Sequence, residues 1–210
     1  NYCRENGISK PGDPQDFQMI YLVDMEHPGL VVFPTHRLVR DLPNFDKEAV
    51  LEKCSEFFYI DEKEGTDTME EDLKKLYDEG KKAFGFYCGK GEWFLLTLKN
   101  IDIMSQMLPD VSKASQSLDV SVLHTLILEK IFGIDKENMA KQINLTYTKF
   151  FTEAIDGVDK GEFQCSFVLN PTRVTEIRDV AAAGEKMPQK STYFYPKMIT
   201  GMVMNNLGVD

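Results

Sequence analysis

The stretch AFGFYCGKGEWFLLTL, residues 83–98, decides the fold. Two runs of strand-forming residues, 83–88 and 92–98, flank the short loop 89–91, which reads Gly-Lys-Gly. Apolar and aromatic runs on both sides of a glycine-containing loop of this length are typical of a β-hairpin. The hairpin predicts that the fold contains a β-sheet.

Elements of both types surround the hairpin. Several segments have apolar residues at helical spacing and begin or end at a capping residue or a glycine. This pattern predicts helices. These helices cover residues 44 or 46 to 58, 68–80, 118–132, 149–158 and 170–183. Runs of β-branched and aromatic residues predict strands at 18–25, 30–33, 143–147, 163–169 and 192–204. Because strands and helices alternate, we predict an α/β (mixed α+β) fold in which a mixed sheet is flanked by helices.

A polar, uneven segment interrupts the pattern. Residues 99–117 contain Pro109 and Asp110 and have no clear period, which favours a linker. We therefore expect two subdomains. The first, residues 1–110, is an α/β subdomain with the hairpin, and the second, residues 118–210, alternates strands and helices.

Composition limits the classes of protein that fit. The chain has 210 residues, 42% of them apolar, and a net charge of −10. The apolar content excludes a disordered chain. The negative net charge argues against direct nucleic-acid binding, which needs a basic face. No apolar run is long enough for a membrane span, so no membrane contact is expected. The four cysteines are widely spaced, which favours reduced thiols and a cytoplasmic location.

The segment from residue 184 to residue 197 concentrates hydrogen-bond donors. Ammonium and hydroxyl groups are the donors that phosphate or carboxylate oxygens need. The anion-binding residues predicted here are Lys190, Ser191, Thr192, Tyr193 and Lys197. The alternative is an ordinary helix-to-strand connection with its lysines on the surface.

A second candidate follows the strand at 30–33. Thr35, His36 and Arg37 lie where ligands collect in α/β sheets, with His36 as a proton shuttle and Arg37 as an anion clamp. Arg37 pairing with Asp41 is the alternative. Arg173, near the start of a predicted helix, is a further anion-binding candidate, although helix capping explains that segment equally well.

His124 is interpreted differently. It falls among apolar residues of the predicted helix 118–132, so a packed core histidine is the favoured interpretation. The three histidines form no cluster with cysteines or acids, so no transition metal is expected.

Three segments together resemble a known family. PGLVVFPTHR (28–37), VLH (122–124) and MPQKSTYFYPK (187–197) occur in this order and are similar to domain-of-unknown-function family 1015, which is bacterial and archaeal and sometimes labelled ParB-like. The resemblance spans essentially the whole chain. It implies that full-length members extend further at the N-terminus, with an Asp-Gly-His-His-Arg segment similar to the ParB/sulfiredoxin-like fold, in which nucleotide binders and free-serine kinases occur. The chain is then the C-terminal part of a longer protein, and the preceding region of that protein is an expected partner.

Two functions remain open at this point. The first is a protein that binds a small phosphorylated or nucleotide ligand, with a phosphotransferase acting on small molecules as the enzymatic form and a nucleotide with Mg as cofactor. The second is a non-catalytic ParB-like regulatory or interaction module. A third interpretation gives the Lys190–Lys197 string a purely structural role as a strand.

Overall fold

The computed structural model describes residues 5–8, 10, 12–13, 20–197 and 201. Its contacts divide the chain into two units, one formed by residues 1–31 with 194–210 and one by residues 32–193. The larger unit contains the six-stranded sheet, and the candidate site described below lies in it.

Strands and helices alternate along the described residues. The strands are β1 (Val31–Phe33), β2 (His36–Val39), β3 (Phe58–Glu64), β4 (Ala83–Gly89), β5 (Glu92–Leu98), β6 (Leu145–Thr148), β7 (Cys165–Val168) and β8 (Tyr193–Tyr195). The helices are α1 (Lys47–Cys54), α2 (Met69–Asp78), α3 (Ile103–Met107), α4 (Lys113–Gln116), α5 (Asp119–Val122), α6 (Lys136–Lys141), α7 (Phe151–Asp159) and α8 (Val174–Ala182). A π-helical segment, Leu123–Glu129, continues directly from α5.

Six of the strands form one sheet in the order β3-β5-β4-β7-β2-β6, and each neighbouring pair is antiparallel. The hairpin predicted over 83–98 is confirmed as β4 and β5, in which Ala83 lies opposite Thr97. The prediction of an α/β fold with flanking helices is also confirmed. The sheet takes strands from both sides of residue 110, and the segment 99–117, predicted as a linker, contains α3 and α4.

The two faces of the sheet bury different sets of side chains because successive strand residues point to opposite sides. One face packs against α1, α3, the π-helical segment and α6, and its aromatic centre is Phe86 stacked on Phe167 with ring centroids 5.0 Å apart. The other face packs against α2 and α7 through residues such as Trp93 and Ala154. The sheet is thus the middle layer of three.

Some predicted boundaries are wrong. In the smaller unit the described residues 20–25 form no strand, and Ile20, Tyr21 and Leu22 are exposed. A β pattern does not by itself supply the hydrogen-bonding neighbour that a strand needs. Residues 18 and 19 lie outside the described residues. The strand predicted over 192–204 is seen as β8, and 198–200 and 202–204 also lie outside that part of the chain.

The helix predicted from Asn170 begins later, at Val174. The Asn170 side chain donates instead to the carbonyl oxygen of Leu73, 3.0 Å away, so a tertiary contact replaces the expected cap. Across the described residues, no helix is long and apolar enough to cross a bilayer.

Candidate functional site

Arg37 is the most unusual side chain of the sheet, because it is charged and only 1% exposed. Its guanidinium lies 5.5 Å from the ring centre of Tyr147, which is its partner on β6. It donates to the carbonyl oxygens of Thr35 and, at 3.1 Å, of Lys190. Burial lowers the pKa of Arg37 to about 10, which still leaves it protonated at neutral pH. None of the described carboxylates pairs with it.

The third contact of Arg37 leads to a histidine. Nη2 of Arg37 lies 3.2 Å from Nε2 of His124, which belongs to the π-helical segment. Burial, and secondarily the charge of Arg37, hold the pKa of His124 well below its ordinary value. His124 is therefore an uncharged imidazole at neutral pH.

A cavity of about 630 Å³ opens beside His124. Its size and its mixture of apolar walls with a few polar groups are those of a small-molecule site. The apolar side chains in its wall are Leu108, Val111, Met139, Tyr147 and Pro188, and the uncharged polar ones are Ser115, Ser121, His124, Thr125 and Gln189.

Charged side chains of both signs line the same cavity. Three of them are exposed, Lys136, Lys186 and Asp110, and Glu129 is partly buried. Among the described residues, these four side chains form no ion pair with one another. Glu185 also lines the cavity, but its carboxylate already accepts hydrogen bonds from Ser112 and Ser115, which lower its pKa. The cavity wall thus carries two lysines and three acidic side chains, and Arg37 is the buried charged group beside it that has no carboxylate partner among the described residues.

The structure places His36 away from this cavity. It is next to Arg37 on β2, and alternation along the strand turns it to the opposite face of the sheet. There Nδ1 of His36 accepts a hydrogen bond from the backbone N–H of Leu169 at 3.2 Å. Burial, and secondarily Arg37, lower the pKa of His36 to about 4. The Arg37–Asp41 pair considered from the sequence is replaced by a contact between Arg40 and Asp41 at 3.8 Å.

The segment 190–193 approaches Arg37 through its backbone. Lys190 has a left-handed conformation (φ 55°) and an exposed side chain, while its carbonyl oxygen faces Arg37. Ser191 is buried, and its carbonyl oxygen accepts from the Thr172 hydroxyl at 2.9 Å. Thr192 is partly buried.

Tyr193 lies in a different cluster. The Lys149 ammonium sits 4.5 Å from the Tyr193 ring centre and 5.4 Å from that of Phe33, and Phe33 packs edge-on against Tyr193. Lys197 is exposed and belongs to the smaller unit.

Arg173 forms another set of contacts. Its guanidinium covers the Tyr77 ring at 3.9 Å and donates to the Tyr77 carbonyl oxygen at 2.7 Å. At the start of α8 the Glu176 carboxylate accepts from the Arg173 backbone N–H at 2.9 Å, so this helix N-terminus already holds an acidic side chain. Of the predicted residues, the structure thus brings together Arg37, Thr35 and Lys190, the last two through their carbonyl groups.

The cavity wall contains residues outside the predicted set, above all His124. A signal for them is present in the sequence: Ser121, His124 and Thr125 have the spacing i, i+3, i+4, which puts three polar side chains on one face of an apolar helix. Within the described part of the chain, no three His, Cys, Asp or Glu side chains come together as metal ligands.

The fold and the site define an α/β domain that carries a ligand-sized cavity on one face of an antiparallel sheet. Residues 1–121 match the family described as "Protein of unknown function (DUF1015)". The chain belongs to this family. No curated protein matches it.

Solved structures show a weak likeness in fold. A conserved hypothetical protein from Pyrococcus furiosus is 20% identical with a TM-score of 0.46, over 82% of this chain and 59% of that one. A free serine kinase in complex with AMP is 16% identical with a TM-score of 0.47, over 82% and 56%. A mutant free serine kinase in complex with ADP is 15% identical with a TM-score of 0.46, over 83% and 57%. The chain therefore spans less than two thirds of the length of these proteins.

Proposed function

We propose that the chain binds a small organic anion, a phosphorylated metabolite or a nucleotide, in the cavity beside His124. The observation that carries this proposal is Arg37, a buried cation that has no carboxylate partner among the described residues and contacts a residue of the cavity wall. A buried charge without a counter-ion is unfavourable. An anion bound in the cavity offsets part of that cost.

The size of this effect follows from the geometry. An oxygen that accepts a hydrogen bond from the His124 ring lies about 8 Å from the Arg37 guanidinium, given the 3.2 Å contact and an ordinary hydrogen bond. At an effective dielectric constant of about 20, two unit charges at that separation attract by about 2 kcal/mol. This corresponds to roughly thirtyfold in affinity.

The remaining wall suits the rest of such a ligand. Lys136 and Lys186 also line the cavity and can approach a second anionic oxygen, but the three acidic side chains Asp110, Glu129 and Glu185 outnumber them in the same wall. Selection of an anion therefore depends on the pair formed by Arg37 and His124 rather than on the lysines. Met139, Val111 and the Tyr147 ring supply contact area for an apolar or aromatic part, such as a nucleobase.

The test is a calorimetric titration of the chain with AMP, with adenosine as the ligand that lacks only the phosphate, each with and without magnesium. We expect AMP to bind at least tenfold more tightly than adenosine. In a thermal unfolding scan, AMP at one hundred times its Kd stabilises the fold by about 2.7 kcal/mol, which raises Tm by roughly 5–10 °C for a unit of this size.

Two variants locate the site. His124→Leu removes the proposed donor and should weaken AMP binding about tenfold, the typical value of one lost hydrogen bond. His27→Leu removes a histidine from an exposed turn and should leave the affinity unchanged. Equal affinities of AMP and adenosine, no binding of either, or equal effects of the two variants would each overturn the proposal.

The phosphotransferase and the regulatory module share this binding step. Incubating the chain with ATP and magnesium, with a mixture of small hydroxyl-bearing molecules or water as the phosphoryl acceptor, and measuring formation of ADP together with the phosphorylated acceptor or inorganic phosphate separates them. ADP formation that is lost in His124→Leu supports group transfer at this cavity, whereas binding without ADP formation supports a non-catalytic module.

A further inference from the structure

We propose that Arg37 fixes His124 as the tautomer protonated on Nδ1, so that His124 presents an uncharged N–H donor to the cavity and selects ligands with a hydrogen-bond acceptor at that point. Arg37 is then a positioning residue that acts through His124. The selection of ligands rests on the proposed function, whereas the tautomer does not and is measured without ligand.

The argument begins with the chemistry of the two groups. A guanidinium has N–H donors and no acceptor, so the atom that faces it at 3.2 Å, Nε2 of His124, must be the acceptor. A neutral imidazole carries its single proton on the other nitrogen, Nδ1. Protonation of both nitrogens would direct an N–H at the guanidinium and is therefore disfavoured.

Arg37 is itself held in one orientation. Its other hydrogen bonds go to the carbonyl oxygens of Thr35 and Lys190, and the Tyr147 ring lies 5.5 Å away. The guanidinium cannot turn away from His124 without losing these contacts. The tautomer is thus set by residues from three separate parts of the chain.

The other two histidines of the chain have the opposite arrangement. Nδ1 of His36 accepts from the Leu169 N–H at 3.2 Å, and Nδ1 of His27 accepts from the Gly29 N–H at 3.0 Å. Neutral His36 and His27 therefore carry their proton on Nε2. His124 is the exception, and each of the other two histidines serves as an internal control.

The arrangement has a consequence for the ligand. Among the described residues, Nδ1 of His124 has no hydrogen-bond partner, so its donor is available to the cavity. A phosphoryl, carboxylate or carbonyl oxygen can accept from it. An ammonium group cannot, because it offers only donors.

The experiment is a long-range ¹⁵N–¹H correlation spectrum of the histidine rings in the uniformly ¹⁵N-labelled chain at pH 7. His27→Asn and His36→Asn assign the three ring systems. We expect a pyrrole-like Nδ1 and a pyridine-like Nε2 for His124, and the reverse for His36. A His124 ring with its proton on Nε2 would overturn the inference, whatever the AMP titration shows.

Arg37 variants test the cause. Arg37→Gln has an amide that can donate or accept, so the tautomer should shift toward Nε2–H and AMP affinity should fall about tenfold or more while adenosine affinity stays the same. Arg37→Lys, which can only donate, should retain the Nδ1–H form. A tautomer that is unchanged in Arg37→Gln, with amide spectra showing a folded chain, would contradict the assigned role.

Adding AMP tests the contact with the ligand. We expect the Nδ1 signal of His124 to move as AMP binds, with no comparable change at His36. Binding of AMP without a change at His124 would refute the selection of ligands by this donor.

Discussion

Acid should destabilise the fold through His36. The pKa of this side chain is lowered from 6.5 to about 4 in the folded chain, mainly because the ring is buried. Between these values the unfolded chain binds a proton that the folded chain does not, so stability falls as the pH falls. With 1.36 kcal/mol per pKa unit, the full effect is about 3 kcal/mol, and most of it develops between pH 7 and pH 4.5.

The assay compares urea unfolding of the wild type and of His36→Asn at pH 7, 6, 5 and 4.5. Asparagine keeps an acceptor for the Leu169 N–H but does not titrate. Carboxylates and His124 titrate in both proteins, so the difference between the two free energies of unfolding isolates His36. We expect that difference to change by about 2 kcal/mol in favour of the variant on going from pH 7 to pH 4.5.

The control is His27→Asn, which removes a histidine from an exposed turn, so a pH trend shared by both variants does not come from burial of His36. If His36→Asn loses stability with acid as steeply as the wild type does, the reasoning from burial is refuted.

Three further predictions concern the stability of the fold and the reactivity of a buried thiol. Phe167→Ala should lower the free energy of unfolding by about 3–5 kcal/mol because this ring is fully buried, whereas the half-exposed Phe150→Ala should cost under about 1 kcal/mol in urea titrations. Lys82→Met should cost about 3–5 kcal/mol because it leaves Asp119 buried without the ammonium 2.8 Å away, and adding Asp119→Asn should restore a large part of the loss. Cys54 should react with iodoacetamide at pH 8 only after unfolding, since burial raises its thiol pKa to about 12, and rapid labelling of the native chain would contradict this.

The local parts of the fold were accessible to sequence reasoning. The hairpin of β4 and β5 is one example, because both strands and the loop that joins them lie within sixteen consecutive residues. The Asp46 cap of α1 is another, since its carboxylate accepts from the Ala49 N–H three residues later at 2.8 Å. Interactions over such short separations leave a pattern in the sequence.

Other parts depend on tertiary context. Strand β3 was not predicted, because its second half, Asp61–Glu64, is uniformly charged, and such residues are typical of the sheet edge that β3 occupies. The π-helical segment was predicted as an ordinary helix, because its apolar residues do not reveal the wider turn.

The candidate site was predictable from the sequence only in part. Arg37 was predicted as an anion-binding residue, and its type and position at a strand were readable from the sequence. Its contact with His124 crosses 87 residues of chain, and no local pattern reports a contact of that range. The interpretation of His124 as a packed core residue followed its apolar neighbours, whereas the structure shows it in a cavity wall.

The wide turn at Leu123–Glu129 makes the number of residues in this stretch as important as their identity. In an α-helix five residues carry the side-chain direction about 140° past a full turn, whereas the wider turn of a π-helix, with its i→i+5 hydrogen bonds, brings the fifth residue back toward the same face. His124 and Glu129 are five residues apart and both line the cavity. Deleting one residue between them and relaxing the segment to an ordinary α-helix would leave the pair four residues apart, which is again one face of the helix. Narrowing the turn without a deletion would instead rotate Glu129 away from His124, so the extra residue and the wider turn compensate each other in the cavity wall.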